Sequence, residues 1–152
     1  MGDGIYFEDF IVGKQFHGER THVMTKDEII AFAREFDPQP QHTDEVAARD
    51  TQFGELVASG WHTGGVSMRI KLDSTMGKVV GGVAGLGIEN LRWPIPVKPG
   101  DELSVSITVL EARPSKSRPD KGIVRYRIET FNQRHEVVME MTTAAMMQRR
   151  PA

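Results

Sequence analysis

There is no cysteine anywhere in the chain, which excludes disulfide bridges, thiolate metal ligands and cysteine nucleophiles together. Nor does any apolar run approach the ~20 residues that a helix needs to cross a bilayer. The first residues, Met1 to Asp9, are acidic and lack the basic start and apolar middle of a secretory leader, so a cytoplasmic protein is expected. An excess of one charge is missing as well. Lys and Arg number 19 against 21 Asp and Glu, a net charge of −2, which argues against nucleic acid as the principal partner. What is there is 152 residues, 39% apolar and 26% charged, the make-up of a single globular domain over 1–152. A domain of this length buries roughly 70% of its unfolded surface and needs no metal or disulfide staple.

No repeat or linker divides the chain. Tyr6 to Val23 carries a weak strand signal around Gly13 and Gly18. Thr25-Lys26-Asp27-Glu28 is a capping box, after which Ile29, Ile30, Phe32, Ala33 and Phe36 follow at helical spacing. Pro38 ends that helix by disfavouring the α conformation at Asp37 and removing an N–H. Asp37 to His42 then reads as a stiff polar loop, and a short helical turn is expected over Asp44 to Arg49. From Leu56 to Met68 there is no charged residue, and the apolar character runs on to about Thr75. This segment reads as a buried central helix whose glycines 60, 64 and 65 let a sheet approach.

The second half is strands. Leu103, Val105, Ile107 and Val109 alternate with Ser104, Ser106 and Thr108, the period of a half-buried strand. Ile123 to Asn132 and Val137 to Met147 are two more, joined by a hairpin at Asn132 to His135. Val79 to Val97 reads as a further strand, broken near Pro94 and Pro96. The order predicts an α+β fold in which a twisted antiparallel sheet wraps one long central helix. Such a sheet leaves an edge to cover, and pairing of two copies about a two-fold predicts a homodimer.

Chemistry points to Asp37 and His42. A carboxylate and an imidazole sharing one water form an acid/base set, in which one group holds or deprotonates water and the other returns a proton. Pro38 and Pro40 limit how far their loop relaxes. Pure polyproline II would hold the two ends ~15 Å apart, so the pair meets only if the loop bends. Otherwise Asp37 is a helix-terminal cap and His42 a polar surface residue.

The stretch Phe-Ala-Arg-Glu-Phe-Asp-Pro-Gln-Pro-Gln-His-Thr-Asp from Phe32, then Phe53-Gly54, then Ala58-Ser59-Gly60-Trp61-His62, resembles the MaoC-like dehydratases, the hydratase 2 group of hot-dog-fold proteins. Ala33, Asp37, Pro40, His42, Asp44, Phe53, Gly54, Ala58 and Gly60 fall on that family's pattern. The resemblance implies a single hot-dog domain that reversibly adds water, syn, across a trans-2-enoyl-CoA to give an (R)-3-hydroxyacyl-CoA. It implies no cofactor beyond the coenzyme A of the substrate, and no metal. By position it makes Asp37 and His42 catalytic, Gln39 supporting, and Gly60 the donor of a backbone N–H to the thioester oxygen. At the predicted start of the central helix, free N–H groups and the positive dipole end favour an oxyanion there. Four residues depart from the pattern: Phe36 for Gly, Gln39 for Asn, and Ser59 and Trp61 for His and Met. Ser59 and Trp61 are therefore expected to shape the substrate pocket. A hot-dog thioesterase and a non-catalytic acyl-CoA-binding protein are the alternatives.

Arg113, Lys116 and Arg118, with Lys121, make a basic hairpin tip that either pairs with coenzyme A phosphates or stays solvated. Gly81, Gly82, Gly85 and Gly87 do not form a dinucleotide fingerprint and are expected to let the sheet pack on the central helix. His17 and His22 are expected at the surface, and His62 in a satisfied core or interface setting. Met139, Met141, Met146 and Met147 read as strand packing, with an acyl-lining wall as the other reading.

Overall fold

The structure is a computed structural model and describes residues 4–152; Met1–Asp3, part of the acidic start noted above, lie outside the described residues. Four long or medium strands make the body of one antiparallel sheet: β3 (Ala84–Arg92), β4 (Glu102–Pro114), β5 (Lys121–Phe131) and β6 (Val137–Gln148). The short β1 (Gln15–His17) and β2 (His22–Val23) both pair with β4. The path across the sheet is β1-β4-β5-β6-β3. Against it lies a helix, α4 (Gly60–Leu72), and outside that α1 (Lys26–Phe36) with two single turns, α2 (Pro40–Thr43) and α3 (Glu45–Ala48). This is the hot-dog arrangement. No helix among the described residues is long and apolar enough to cross a membrane.

The period-2 readings hold closely. In β5 every second residue from Gly122 to Thr130 is buried, and β4 buries Leu103, Val105, Ile107 and Val109. Thr25 caps α1 as expected, its Oγ accepting the Glu28 N–H at 3.2 Å. The return half of the box is different. The Glu28 carboxylate takes the Thr25 hydroxyl at 3.0 Å and His22 Nε2 at 2.6 Å, so it ties the helix to β2.

Three expectations are corrected. The uncharged run from Leu56 is not all helix: α4 starts at Gly60, where the oxyanion reading put the helix start, and Leu56 to Ala58 is held extended, the Val57 N–H donating to the Gln41 carbonyl at 2.9 Å and the Ala58 N–H to Val97 at 2.8 Å. The sheet-facing side of α4 is not uniformly apolar. Thr63, Ser67 and Lys71 are buried there with Ile70, Ser67 bonding Thr130 across the interface at 2.6 Å, while Met68 and Leu72 face outward. Of the three glycines only Gly64 lies near the sheet, where a Cβ would stand 3.9 Å from Met139 Sδ, ordinary contact that leaves room for a side chain. The third correction is β3, which begins at Ala84. Gly81 and Gly82 make the preceding turn at φ +73° and +74°, a left-handed conformation that only glycine adopts freely, and Gly85 and Gly87 bracket a register shift.

Candidate active site

Asp37 closes α1. Its N–H still donates to the Ala33 carbonyl at 2.8 Å, but Pro38 prevents another helical residue. The next residues are not an extended loop. Pro40 occupies the first turn of α2, where a missing N–H costs nothing, and the His42 N–H donates back to the Gln39 carbonyl at 3.0 Å. That tight reversal folds His42 under Asp37, bringing Nε2 to 3.4 Å from Oδ2.

His42 is buried and oriented from behind. Its Nδ1 lies 2.7 Å from the Val57 carbonyl oxygen, an acceptor only, so Nδ1 carries the proton and Nε2 presents its lone pair toward Asp37 and the cavity. Asp37 takes one donor on each oxygen: Gln39 Nε2 at 2.7 Å on Oδ1 and the Ser59 hydroxyl at 2.7 Å on Oδ2. Burial pushes its pKa up, but these two hydrogen bonds and the neighbouring His42 outweigh it and hold the carboxyl below its ordinary 3.8. It is an anion at neutral pH. Asp44, also on the family pattern, acts structurally, capping α3 by accepting from the Val46 and Ala47 N–H groups.

Ser59 is fully buried and stands at the N-cap of α4, yet its hydroxyl serves Asp37 rather than the helix. The N–H groups of Gly60 and Trp61 consequently have no partner among the described residues, and both residues line the same cavity as Asp37 and His42. Gly60 itself is required by packing. A Cβ on it would stand 2.5 Å from the Trp93 ring, whose Nε1 donates to the Gly60 carbonyl at 3.0 Å. Trp61 packs edge-on against Trp93 and is 62% exposed, an indole at the mouth.

The cavity holds about 320 Å³, and Phe53, Val57, Ala58, Ile95, Val97 and Val138 make much of its wall. Asp37, Gln39, His42, Gly60 and Trp61 therefore meet in one place, with Ser59 directly behind. Arg113, Lys116 and Arg118 do not line it. They occupy or flank the tip of the β4–β5 hairpin, whereas α4 begins beside the other end of that hairpin, near Met139, which pairs with Thr130. Trp93 and Phe53 stand out in the structure far more than in the sequence. For Trp93 the only signal was an aromatic beside the two prolines that break the strand reading. No group of three or more His, Asp or Glu is placed to hold a metal ion among the described residues.

His62 is buried but not satisfied. It stacks flat on Phe32 at 4.8 Å, its Nε2 lies 3.5 Å from Glu28 Oε1, and its Nδ1 has no partner among the described residues. Burial is the largest influence on this imidazole and depresses its pKa, keeping it neutral. His17 is exposed, as expected, and His22 is committed to Glu28.

The model of the MaoC like domain matches residues 9–132. A MaoC-like dehydratase from Rhodospirillum rubrum is 48% identical with a TM-score of 0.92, covering 98% of this chain and 100% of its own. The R-hydratase PhaJ1 of Pseudomonas aeruginosa is 28% identical with a TM-score of 0.74, covering 97% and 88%. A 3-hydroxybutyryl-CoA dehydratase from Methylorubrum extorquens is 29% identical over 75% of this chain and 69% of its own. The chain belongs to the MaoC-like domain family.

Proposed function

We propose that the protein is a hydro-lyase that adds water reversibly to a trans-2-enoyl-CoA, giving the (R)-3-hydroxyacyl-CoA. The carrying observation is the pairing of Asp37 Oδ2 and His42 Nε2, 3.4 Å apart, in the cavity that also receives the free N–H groups of α4. The dehydratase and R-hydratase names of its relatives support the reaction type. In this reading side chains and backbone carry the chemistry, and coenzyme A enters only with the substrate.

Water is held between the two groups. Asp37, kept anionic by Gln39 and Ser59, is a weak base and a strong acceptor, so it orients the water and stabilises the imidazolium that follows. His42 Nε2 takes a proton as the water oxygen bonds to C3, and the C2–C3 π electrons move onto the thioester as an enolate. The enolate oxygen lies at the N–H groups of Gly60 and Trp61, where the helix dipole adds to the hydrogen bonds. The same Nε2 then returns its proton to C2. One group serving both steps delivers oxygen and hydrogen to one face, which accounts for syn addition.

The test follows loss of enoyl-thioester absorbance on crotonyl-CoA, with a thiol reagent in parallel. Asp37→Asn and His42→Ala are each expected to lower kcat by about 10²–10⁴-fold while thioester binding persists, the range for a positioned acid or base. Thiol release by the wild-type protein would establish a thioesterase instead. Binding of acyl-CoAs across a chain-length panel, without turnover of any of them, would establish a binding protein.

A further inference from the structure

Of the two N–H groups offered to the enolate, that of Trp61 shares its peptide unit with the Gly60 carbonyl. A trans peptide is planar, with its C=O and N–H pointing in opposite directions, so whatever fixes the carbonyl aims the N–H. No peptide bond among the described residues is cis. The Gly60 carbonyl already stands in the hydrogen-bond ladder of α4, and it takes a second donor from outside the helix, Trp93 Nε1 at 3.0 Å. The indole is closely held there. Its ring fills the space that a Cβ on Gly60 would need, and Trp61 packs edge-on against it with centroids 5.4 Å apart.

The segment that carries Trp93 is built to hold it in place. Its far end is fixed where the Val97 carbonyl accepts the Ala58 N–H at 2.8 Å, and its near end where the indole meets Gly60. Between them Pro94 and Pro96 lock φ and have no N–H to give elsewhere. One strap thus pins residues 58–60 at both ends, and its Trp93, Ile95, Pro96 and Val97 line the cavity as well. A hydrogen bond accepted at one end of an amide polarises the whole unit, and such cooperation strengthens the next bond by roughly 10–30%.

We propose that Trp93 is a positioning residue, which through its bond to the Gly60 carbonyl aims and polarises the Trp61 N–H toward the enolate oxygen. This role rests on the hydro-lyase reading above. Trp93→Phe keeps an aromatic ring and removes the N–H. Benzothienylalanine at position 93 keeps the two-ring shape and puts sulfur where the N–H was. With crotonyl-CoA, each is expected to lower kcat about tenfold, less than the roughly 10²–10³-fold of losing an oxyanion donor outright, because water can replace the indole at the carbonyl. KM should stay within about twofold, since the charge builds on oxygen only in the transition state. In a His42→Ala background, which holds crotonyl-CoA without rapid turnover, the infrared C=O stretch of the bound thioester should lie below its solution value. Adding Trp93→Phe should return it part of the way, which a change confined to packing would not do. The proposal is overturned if either folded variant keeps the wild-type kcat, if KM rises in place of the fall in kcat, or if the bound stretch does not move. A wild-type protein that hydrates no enoyl-CoA removes the hydro-lyase reading and this role with it, whereas wild-type hydration with unaltered position-93 variants removes the role alone.

Discussion

At the scale of single residues, Ser59 and Gln39 are the informative pair. Both depart from the family pattern, and both turn out to donate to Asp37, one to each oxygen. Their contribution has a definite sign. Asp37 has its pKa lowered in the folded chain, so its share of stability is present above the unfolded value near 3.8 and is lost as pH falls through the lower folded value. Removing the donors in Ser59→Ala combined with Gln39→Leu leaves burial less opposed. The Asp37 carboxyl, followed by carbon NMR through a pH titration, is then expected to titrate higher than in the wild type. An unmoved titration would show that His42 alone holds the carboxylate. Gly60 is constrained differently. In Gly60→Ala the added methyl meets the Trp93 ring at 2.5 Å, so either Trp93 leaves its bond to the Gly60 carbonyl or α4 shifts. Loss of hydratase rate together with altered tryptophan fluorescence is expected, and wild-type values for both would show that the ring yields freely.

Among the elements, α1 is tied at both ends to the site. Its N-terminus is held by Thr25 and by the Glu28 carboxylate, which bonds His22 on β2 and approaches His62 at 3.5 Å, one turn into α4. Its C-terminus is Asp37. Thr25→Ala removes the cap and is expected to cost about 1 kcal/mol in chemical denaturation, the usual worth of a threonine cap. Because the helix carries Asp37, activity near the unfolding midpoint should fall in step. His62, with one ring nitrogen bare, stays neutral in this region: Phe32 covers one face of the ring, and desolvation keeps it uncharged beside His22. The short turn α2 matters more than its length suggests, since its reversal converts a five-residue spacing into a 3.4 Å contact.

For the whole molecule, the feature that calls for a partner is the free edge of the sheet. β3 is exposed along nearly its full length, and Leu86 and Ile88 on it, with Met68 and Leu72 on α4, leave large apolar side chains at the surface. Unpaired strand edges of this kind invite another strand. Two copies joined edge to edge along β3 would bury these groups, and the expected mass by light scattering is that of a homodimer. Ile88→Lys should shift the equilibrium toward monomer, and a wild-type protein that runs as a monomer at micromolar concentration would remove the proposal. The basic hairpin tip at Arg113, Lys116 and Arg118 lies away from the cavity of its own chain, so its neutralisation is not expected to alter turnover through direct contact within one copy.

How much of this was legible in the chain alone follows from the range of the forces involved. Helix caps, proline stops and strand alternation act over a few residues, so α1, the turn at Asp44 and the strands β4 to β6 could be read from local sequence. The Asp37–His42 pair was legible as composition and as family pattern. Their meeting was not, because it depends on the reversal at Pro40 and on the Val57 carbonyl, fifteen residues further on, that orients the ring. That the run from Leu56 is not helix before Gly60 was hidden for the same reason: Leu56 to Ala58 is apolar enough for a helix, but hydrogen bonds to Gln41 and Val97 hold it extended. Lys71 shows the limit most clearly. In the sequence it is one lysine near the end of a helix read as buried, and only the register of α4 on β5, which sets it against Tyr126, leaves that charge buried without a counter-charge among the described residues.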